Sequence, residues 1–96
     1  MNVLLLGGYG QFGLPTAKQL ARYDLVEKIT IAGRNLERAQ EAAGEAGPKA
    51  QPLALDAEDG EAVADALQPG DVLVSFMWDQ ERYQEPLIRA AIQAGA

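Results

Sequence analysis

Near the start of the chain, Gly8-Tyr9-Gly10-Gln11-Phe12-Gly13 places glycines at the first, third and sixth positions of a turn that directly follows an apolar run, Val3-Leu4-Leu5-Leu6. A turn of this kind between a strand and a helix is suited to gripping a pyrophosphate, and each glycine has a mechanical task in it. Gly8 allows the chain to turn sharply off the strand. Gly10 leaves room for the backbone to approach the phosphates, where a Cβ would intrude. Gly13 lets the following helix pack closely on the strand. The first turn of that helix then presents N–H groups and a partial positive charge to the anion, a dipole term of roughly 0.3–1 kcal/mol per charge at an exposed site. Gln11 and Phe12 lie within the same turn and join the three glycines as candidate cofactor-binding residues. Gly7 adds a fourth glycine ahead of the motif, so which glycine makes the turn stays open.

A second set of residues lies about 20 positions beyond Gly13, where a dinucleotide site that prefers NAD places an Asp or Glu on the ribose 2′-hydroxyl. Here the apolar run ends Ile31-Ala32-Gly33-Arg34-Asn35. Glycine stands in place of the acid and leaves space for a 2′-phosphate, while Arg34 supplies a planar fork able to grip it. A charged hydrogen bond contributes roughly 1.5–3 kcal/mol, so one such bond favours NADP over NAD by about tenfold or more. NADP is therefore the expected cofactor, with NAD second. Asn35 can bond the ribose while capping the next helix, and Arg38 lies one helical turn further on. The bland alternative makes Arg34 and Arg38 solvated surface charges.

Two readings are open for Asp56. At the end of the third strand it can reach the adenine amino group; equally, with Glu58 and Asp59, it can form the acidic first turn of the next helix. Ser75, Phe76 and Met77 end the fourth strand, where the cofactor's ribose and nicotinamide are expected. Trp78 and Asp79 follow in the crevice where a substrate would enter. Phe76 and Met77 are also plausible core residues, and Trp78 a packing residue against a further domain.

These residues need a scaffold that brings several loops to one edge. The chain alternates short apolar runs with longer stretches of helical spacing. Strands are expected at Val3–Leu6, Lys28–Ala32, Pro52–Leu55 and Asp71–Phe76. The first helix carries Leu14, Ala17, Leu20 and Ala21, with Pro15 tolerated in its first turn. The second runs from an Asn35 cap through Leu36, Ala39 and Ala43 to the Gly44/Gly47-Pro48 cluster. The third spans roughly Glu58–Leu67 and stops at Pro69-Gly70. A last helix has Leu87, Ile88, Ala91, Ile92 and Ala94, with Pro86 near its start and Gly95 at its end. Strands separated by helices pair in parallel through right-handed crossovers. The expectation is thus an α/β, Rossmann-like three-layer αβα fold with a parallel sheet of order 3-2-1-4, truncated before further strands. Its ligand crevice lies between the first and fourth strands.

Composition narrows the chemistry. Ninety-six residues, 48% hydrophobic and 23% charged, make one domain, expected to be the N-terminal part of a longer protein. There is no cysteine and no histidine, which removes disulfides, thiolate metal sites and the commonest general base. No metal site is expected, and no catalytic set can be named. A net charge of −6 argues against nucleic acid as a partner. No apolar run approaches the roughly 18 residues that span a bilayer, and the start lacks the basic region of a signal peptide; a cytoplasmic protein with no membrane partner is expected. The unpaired edge of the fourth strand points to a possible homodimer.

The segments Leu4-Leu5-Leu6-Gly7-Gly8-Tyr9-Gly10-Gln11-Phe12-Gly13 and Ile29-Thr30-Ile31-Ala32-Gly33-Arg34-Asn35 resemble the NADP-binding domain of saccharopine dehydrogenase-related proteins. Leu55-Asp56, Asp71-Val72-Leu73-Val74 and the stretch from Glu85-Pro86 to Ala94-Gly95-Ala96 are similar to the same family. The resemblance covers essentially the whole chain. It implies an NADP-linked oxidoreductase whose glycine loop holds pyrophosphate and whose arginine after the second strand lies near the 2′-phosphate. The substrate, a small molecule of unknown identity, is then met largely by a second domain. One stretch departs from the family's pattern: an asparagine near the end of the fourth strand and a Gly-Pro pair before an aromatic residue are replaced by Ser75 and Trp78-Asp79-Gln80. From a different class of function, a noncatalytic module that senses NADP(H) and reports to a partner fits the same residues. A structural remnant that binds nothing is the third reading.

Overall fold

The apolar run after Met1 forms the centre of the sheet. In the computed structural model, which describes residues 1–7, 13–56, 58–75 and 88–95, strand β1 (Asn2–Leu6) pairs in parallel with β2 (Lys28–Gly33) on one side and β4 (Val72–Ser75) on the other. Strand β3 (Ala50–Ala54) pairs in parallel outside β2, giving the order β3-β2-β1-β4. This is the expected doubly wound arrangement, with the chain reversing direction across the sheet between β1 and β4.

A central strand must bury both faces, which explains why Val3–Leu6 is apolar throughout rather than alternating. Val3 and Leu5 point into one core with Ile29, Ile31 and Ala17. Leu4 and Leu6 point into the other with Ala32, Leu55, Val63, Leu67 and Ala90. The first core is roofed by helices α1 (Gly13–Leu20) and α2 (Leu36–Ala46). The second is roofed by α3 (Gly60–Asp65) and by helical residues 88–94. Leu5, Ile29 and Ile31 are fully buried, and each such side chain contributes roughly 1.5–3 kcal/mol over its exposed state. Every buried residue of α2 is an alanine, at positions 39, 42, 43 and 46, so this helix lies close against the sheet.

The helix ends follow local chemistry. Pro15 sits in the first turn of α1, where its missing N–H has no intrahelical partner to lose. Asn35 caps α2, its side-chain oxygen accepting from the Arg38 N–H at 3.1 Å. The helix passes through Gly44 and stops at Gly47, whose φ of 111° excludes most side chains and whose N–H donates to the Ala43 carbonyl.

Several boundaries differ from the sequence expectation. Strand β3 starts at Ala50, two residues before Pro52, because Ala50 and Gln51 join the ladder opposite Ile29 and Thr30 without any apolar signal. The Gln51 amide donates to the Thr30 hydroxyl at 3.1 Å, and Pro52 is tolerated because β3 is an edge strand. Helix α3 is shorter than Glu58–Leu67. Asp59 is its cap, accepting from the Ala62 N–H at 3.1 Å, and its end tightens as Ala66 N–H reaches the carbonyls of Ala62 and Val63. Asp71 is not part of β4; its carboxylate accepts from the Gln68 N–H at 2.8 Å and closes a turn. Phe76, expected to end β4, lies outside the described residues. Strand β4 is an edge, half-buried rather than covered on both faces, and Val72 is exposed. In the last helix Ala90 is buried and Ala94 packs on the same core, whereas Ile88 and Ile92 are exposed; Leu87 is outside the described residues. Among those residues, no helix is long and apolar enough to cross a membrane.

Candidate cofactor site

Parallel pairing brings the carboxyl ends of the strands to one edge. Leu6 stands opposite Ala32 on one side and Ser75 on the other, and Gly33 stands opposite Ala54. The chain leaves β1 through Gly7, whose N–H donates to the Ala32 carbonyl at 2.9 Å and whose φ of 75° lies in the left-handed region. A turn thus begins at Gly7, the glycine whose role the motif leaves open. Gly8, Gly10, Gln11 and Phe12 lie outside the described residues, as do Met77, Trp78 and Asp79. Gly13, the last glycine of the motif, is the first residue of α1 and is buried, as the need for close helix–strand packing requires. Ser75 ends β4, half-buried, on the strand next to the start of the glycine turn.

The pairing of β2 and β3 continues one residue past β3, since the Leu55 N–H donates to the carbonyl of Gly33 at the end of β2 at 2.9 Å. That bond sets Arg34 and Asp56 side by side although 22 positions separate them in sequence. The Arg34 guanidinium donates to Asp56 Oδ1 from Nη2 at 3.1 Å and from Nε at 3.4 Å. Its Nη2 also lies 3.3 Å from Glu58 Oε2. The same Asp56 oxygen accepts from the Glu58 N–H at 2.9 Å. These side chains are at the surface, with Arg34 61% and Asp56 48% exposed, so each ion pair contributes about 0–1 kcal/mol to stability. Their effect is to orient Arg34 rather than to hold the fold.

This geometry corrects one reading of Asp56. With Asp59 as cap and Gly60 as first residue, neither Asp56 nor Glu58 belongs to the first turn of α3. Asp56 is instead the residue that fixes the Arg34 guanidinium. Asn35 is exposed at the same edge, its side-chain oxygen used in capping α2. Arg38 is exposed one turn along. A depression of about 560 Å³ opens beside the cluster, with Glu58, Asp59 and Glu61 on one wall and Arg89, Ala90 and Gln93 on the other. Three carboxylates make that wall a poor seat for phosphate. Among the described residues, no group of three or more potential metal ligands comes together.

At this edge the described residues bring together a turn that opens at Gly7 after β1, the buried first residue of α1, and a guanidinium oriented beyond β2. The saccharopine dehydrogenase NADP binding domain family matches residues 3–96. Saccharopine dehydrogenase (L-Glu forming) from Saccharomyces cerevisiae superposes with a TM-score of 0.80 at 33% identity, over 97% of this chain and 20% of that one. A trans-acting enoyl reductase from Mycobacterium ulcerans is 30% identical over 103 residues, covering 98% of this chain and 23% of its own length. A Rossmann-fold NAD(P)-binding family protein from Shigella flexneri shares the fold alone, with a TM-score of 0.76 at 22% identity over 97% of this chain and 46% of that one. The chain spans between a fifth and a quarter of the first two of these relatives. On the match across residues 3–96, supported by the 3-2-1-4 sheet and the turn at its centre, the chain belongs to the saccharopine dehydrogenase NADP binding domain family.

Proposed function

We propose that this chain holds NADP(H) across the carboxyl ends of its strands and serves as the cofactor domain of an oxidoreductase whose substrate side lies in a further part of the protein. The pyrophosphate rests on Gly8, Gly10, Gln11, Phe12 and Gly13 and on the N–H groups that open α1. The 2′-phosphate lies over Gly33 and is gripped by Arg34, with Asn35 toward the ribose. Asp56 stands toward the adenine side, and Ser75, Phe76 and Met77 toward the nicotinamide. The nicotinamide supplies the hydride chemistry when bound; the chain's own residues position it and shape the field around it. The two curated and structural relatives, a trans-acting enoyl reductase and a saccharopine dehydrogenase, have names that point to oxidation–reduction on different substrates. A shared cofactor domain joined to different substrate-binding parts is consistent with both.

The single observation that carries the reading is the Gly33-Arg34 pair at the end of β2, with the guanidinium oriented by Asp56. An NAD site needs a carboxylate where Gly33 stands. Titration calorimetry with NADPH and NADH tests it. NADPH is expected to bind more tightly, and Arg34→Ala to weaken NADPH by about tenfold or more, the loss of one charged hydrogen bond. NADH affinity should change little. Equal loss for both nucleotides, or no loss for NADPH, would remove the 2′-phosphate contact from the proposal.

A further inference from the structure

Two carboxylates meet Arg34 in different ways. Asp56 is tethered: Oδ1 takes the Glu58 N–H at 2.9 Å and both Nε and Nη2 of Arg34, and its backbone follows the Leu55–Gly33 bond directly. Glu58 reaches Nη2 through its side-chain Oε2, at 3.3 Å. A guanidinium offers carboxylates and phosphates two forked edges, one from Nε and Nη2 and one from Nη1 and Nη2. Asp56 occupies the first. The second is the edge on which a phosphate can seat two oxygens, and Glu58 stands on its shared prong.

From this geometry, and resting on the proposed contact between Arg34 and the 2′-phosphate, we infer that Glu58 is a specificity-determining residue that competes with that phosphate for Nη2 of Arg34. Asp56 keeps the guanidinium plane in place while Glu58 yields its prong. NADH brings no 2′-phosphate and leaves the Arg34–Glu58 pair intact. The pair therefore acts against NADPH alone and narrows the preference that Gly33 and Arg34 set up. Charge points the same way: Arg34, Asp56 and Glu58 together carry one net negative charge, so a dianionic phosphate arriving at this edge gains most if Glu58 moves aside.

Glu58→Gln removes the charge and keeps the length of the side chain and the backbone N–H that Asp56 accepts. Calorimetric titrations of the full chain are made with NADPH and with NADH on four proteins: the parent, Glu58→Gln, Arg34→Ala and the double variant. The expected result is NADPH binding about three- to tenfold tighter in Glu58→Gln, the scale of one unit charge removed from contact at a solvated surface. NADH should change by less than about twofold, and so should NADPH when Glu58→Gln is made on Arg34→Ala, because the prong being competed for is gone. Matching melting temperatures for parent and Glu58→Gln establish that the fold is not the cause. Unchanged or weaker NADPH binding in Glu58→Gln, with Arg34→Ala still selective against NADPH, would overturn the competition and leave the cofactor reading standing. An equal gain in the Arg34→Ala background would also overturn it, since plain repulsion would then account for the effect. If Arg34→Ala shows no selectivity, the cofactor contact itself fails and the inference falls with it.

Discussion

At the scale of single residues, the sequence displays spacing but not contacts. The distance from the glycine turn to Gly33 and Arg34 is fixed by one helix and one strand, so the motif announces itself. Asp56 was visible as a strand-end acid, but its partner was not: the contact with Arg34 exists only because Gly33 registers with Ala54 and the ladder runs one bond further. Glu58 reads in the sequence as an ordinary helix-start acid, because no periodicity ties it to Arg34, 24 positions away. The absence of a side chain at Gly33 can be tested directly. Its backbone does not occupy the positive-φ region, so Gly33→Asp introduces a carboxylate without backbone strain. NADPH should then bind about tenfold or more weakly, from repulsion against the 2′-phosphate, while NADH is retained or improved through its ribose hydroxyl. Competition calorimetry with both nucleotides checks this. A parallel loss for NADH would mean that the substitution blocks the site rather than changing its preference.

At the scale of elements, type and order were legible and ends were not. Central strands declare themselves through unbroken apolar runs, because both their faces are covered. Edge strands do not: β3 begins with Ala50 and Gln51, and β4 is only half-buried although its sequence reads as apolar as β1. Helix α2 shows how the same residue type can mark a middle or an end. Gly44 lies inside the helix, whereas Gly47 ends it at φ 111° and ψ −169°. A Cβ at either position meets nothing within 4 Å, so the backbone alone decides the outcome. Gly44→Ala should stabilise the fold by about 0.5–1 kcal/mol by removing glycine's entropy cost in a helix. Gly47→Ala should destabilise it by about 1–3 kcal/mol, because that region is essentially restricted to glycine. Urea unfolding of the two variants must give midpoints displaced in opposite directions; displacement in the same direction would show that the helix does not end where the cap geometry puts it.

At the scale of the molecule, the 3-2-1-4 order converts a linear pattern into a site. The parallel order brings the carboxyl ends of β1, β2 and β3 to one edge, and with them Gly7, Arg34 and Asp56. The cores beneath are built from β1 and β2, so the strands that carry the site are also the most deeply buried ones. Binding there is linked to global stability: a ligand that meets only the folded chain stabilises it by about 2.7 kcal/mol at one hundred times its dissociation constant. For a domain of this size each kcal/mol moves the melting temperature by about 4–8 °C, so NADPH at that excess should raise it by about ten degrees or more. The linkage also has a slope. At one fixed, high NADPH concentration, a variant such as Arg34→Ala that binds tenfold more weakly should lose about 1.4 kcal/mol of that stabilisation, while its melting temperature without nucleotide stays close to the parent's, because the Arg34 ion pairs are exposed. Thermal unfolding of both proteins, with and without NADPH, separates the two terms. A large drop without nucleotide would mean that Arg34 holds the β2–β3 end together. A nucleotide-dependent difference alone would tie Arg34 to the phosphate.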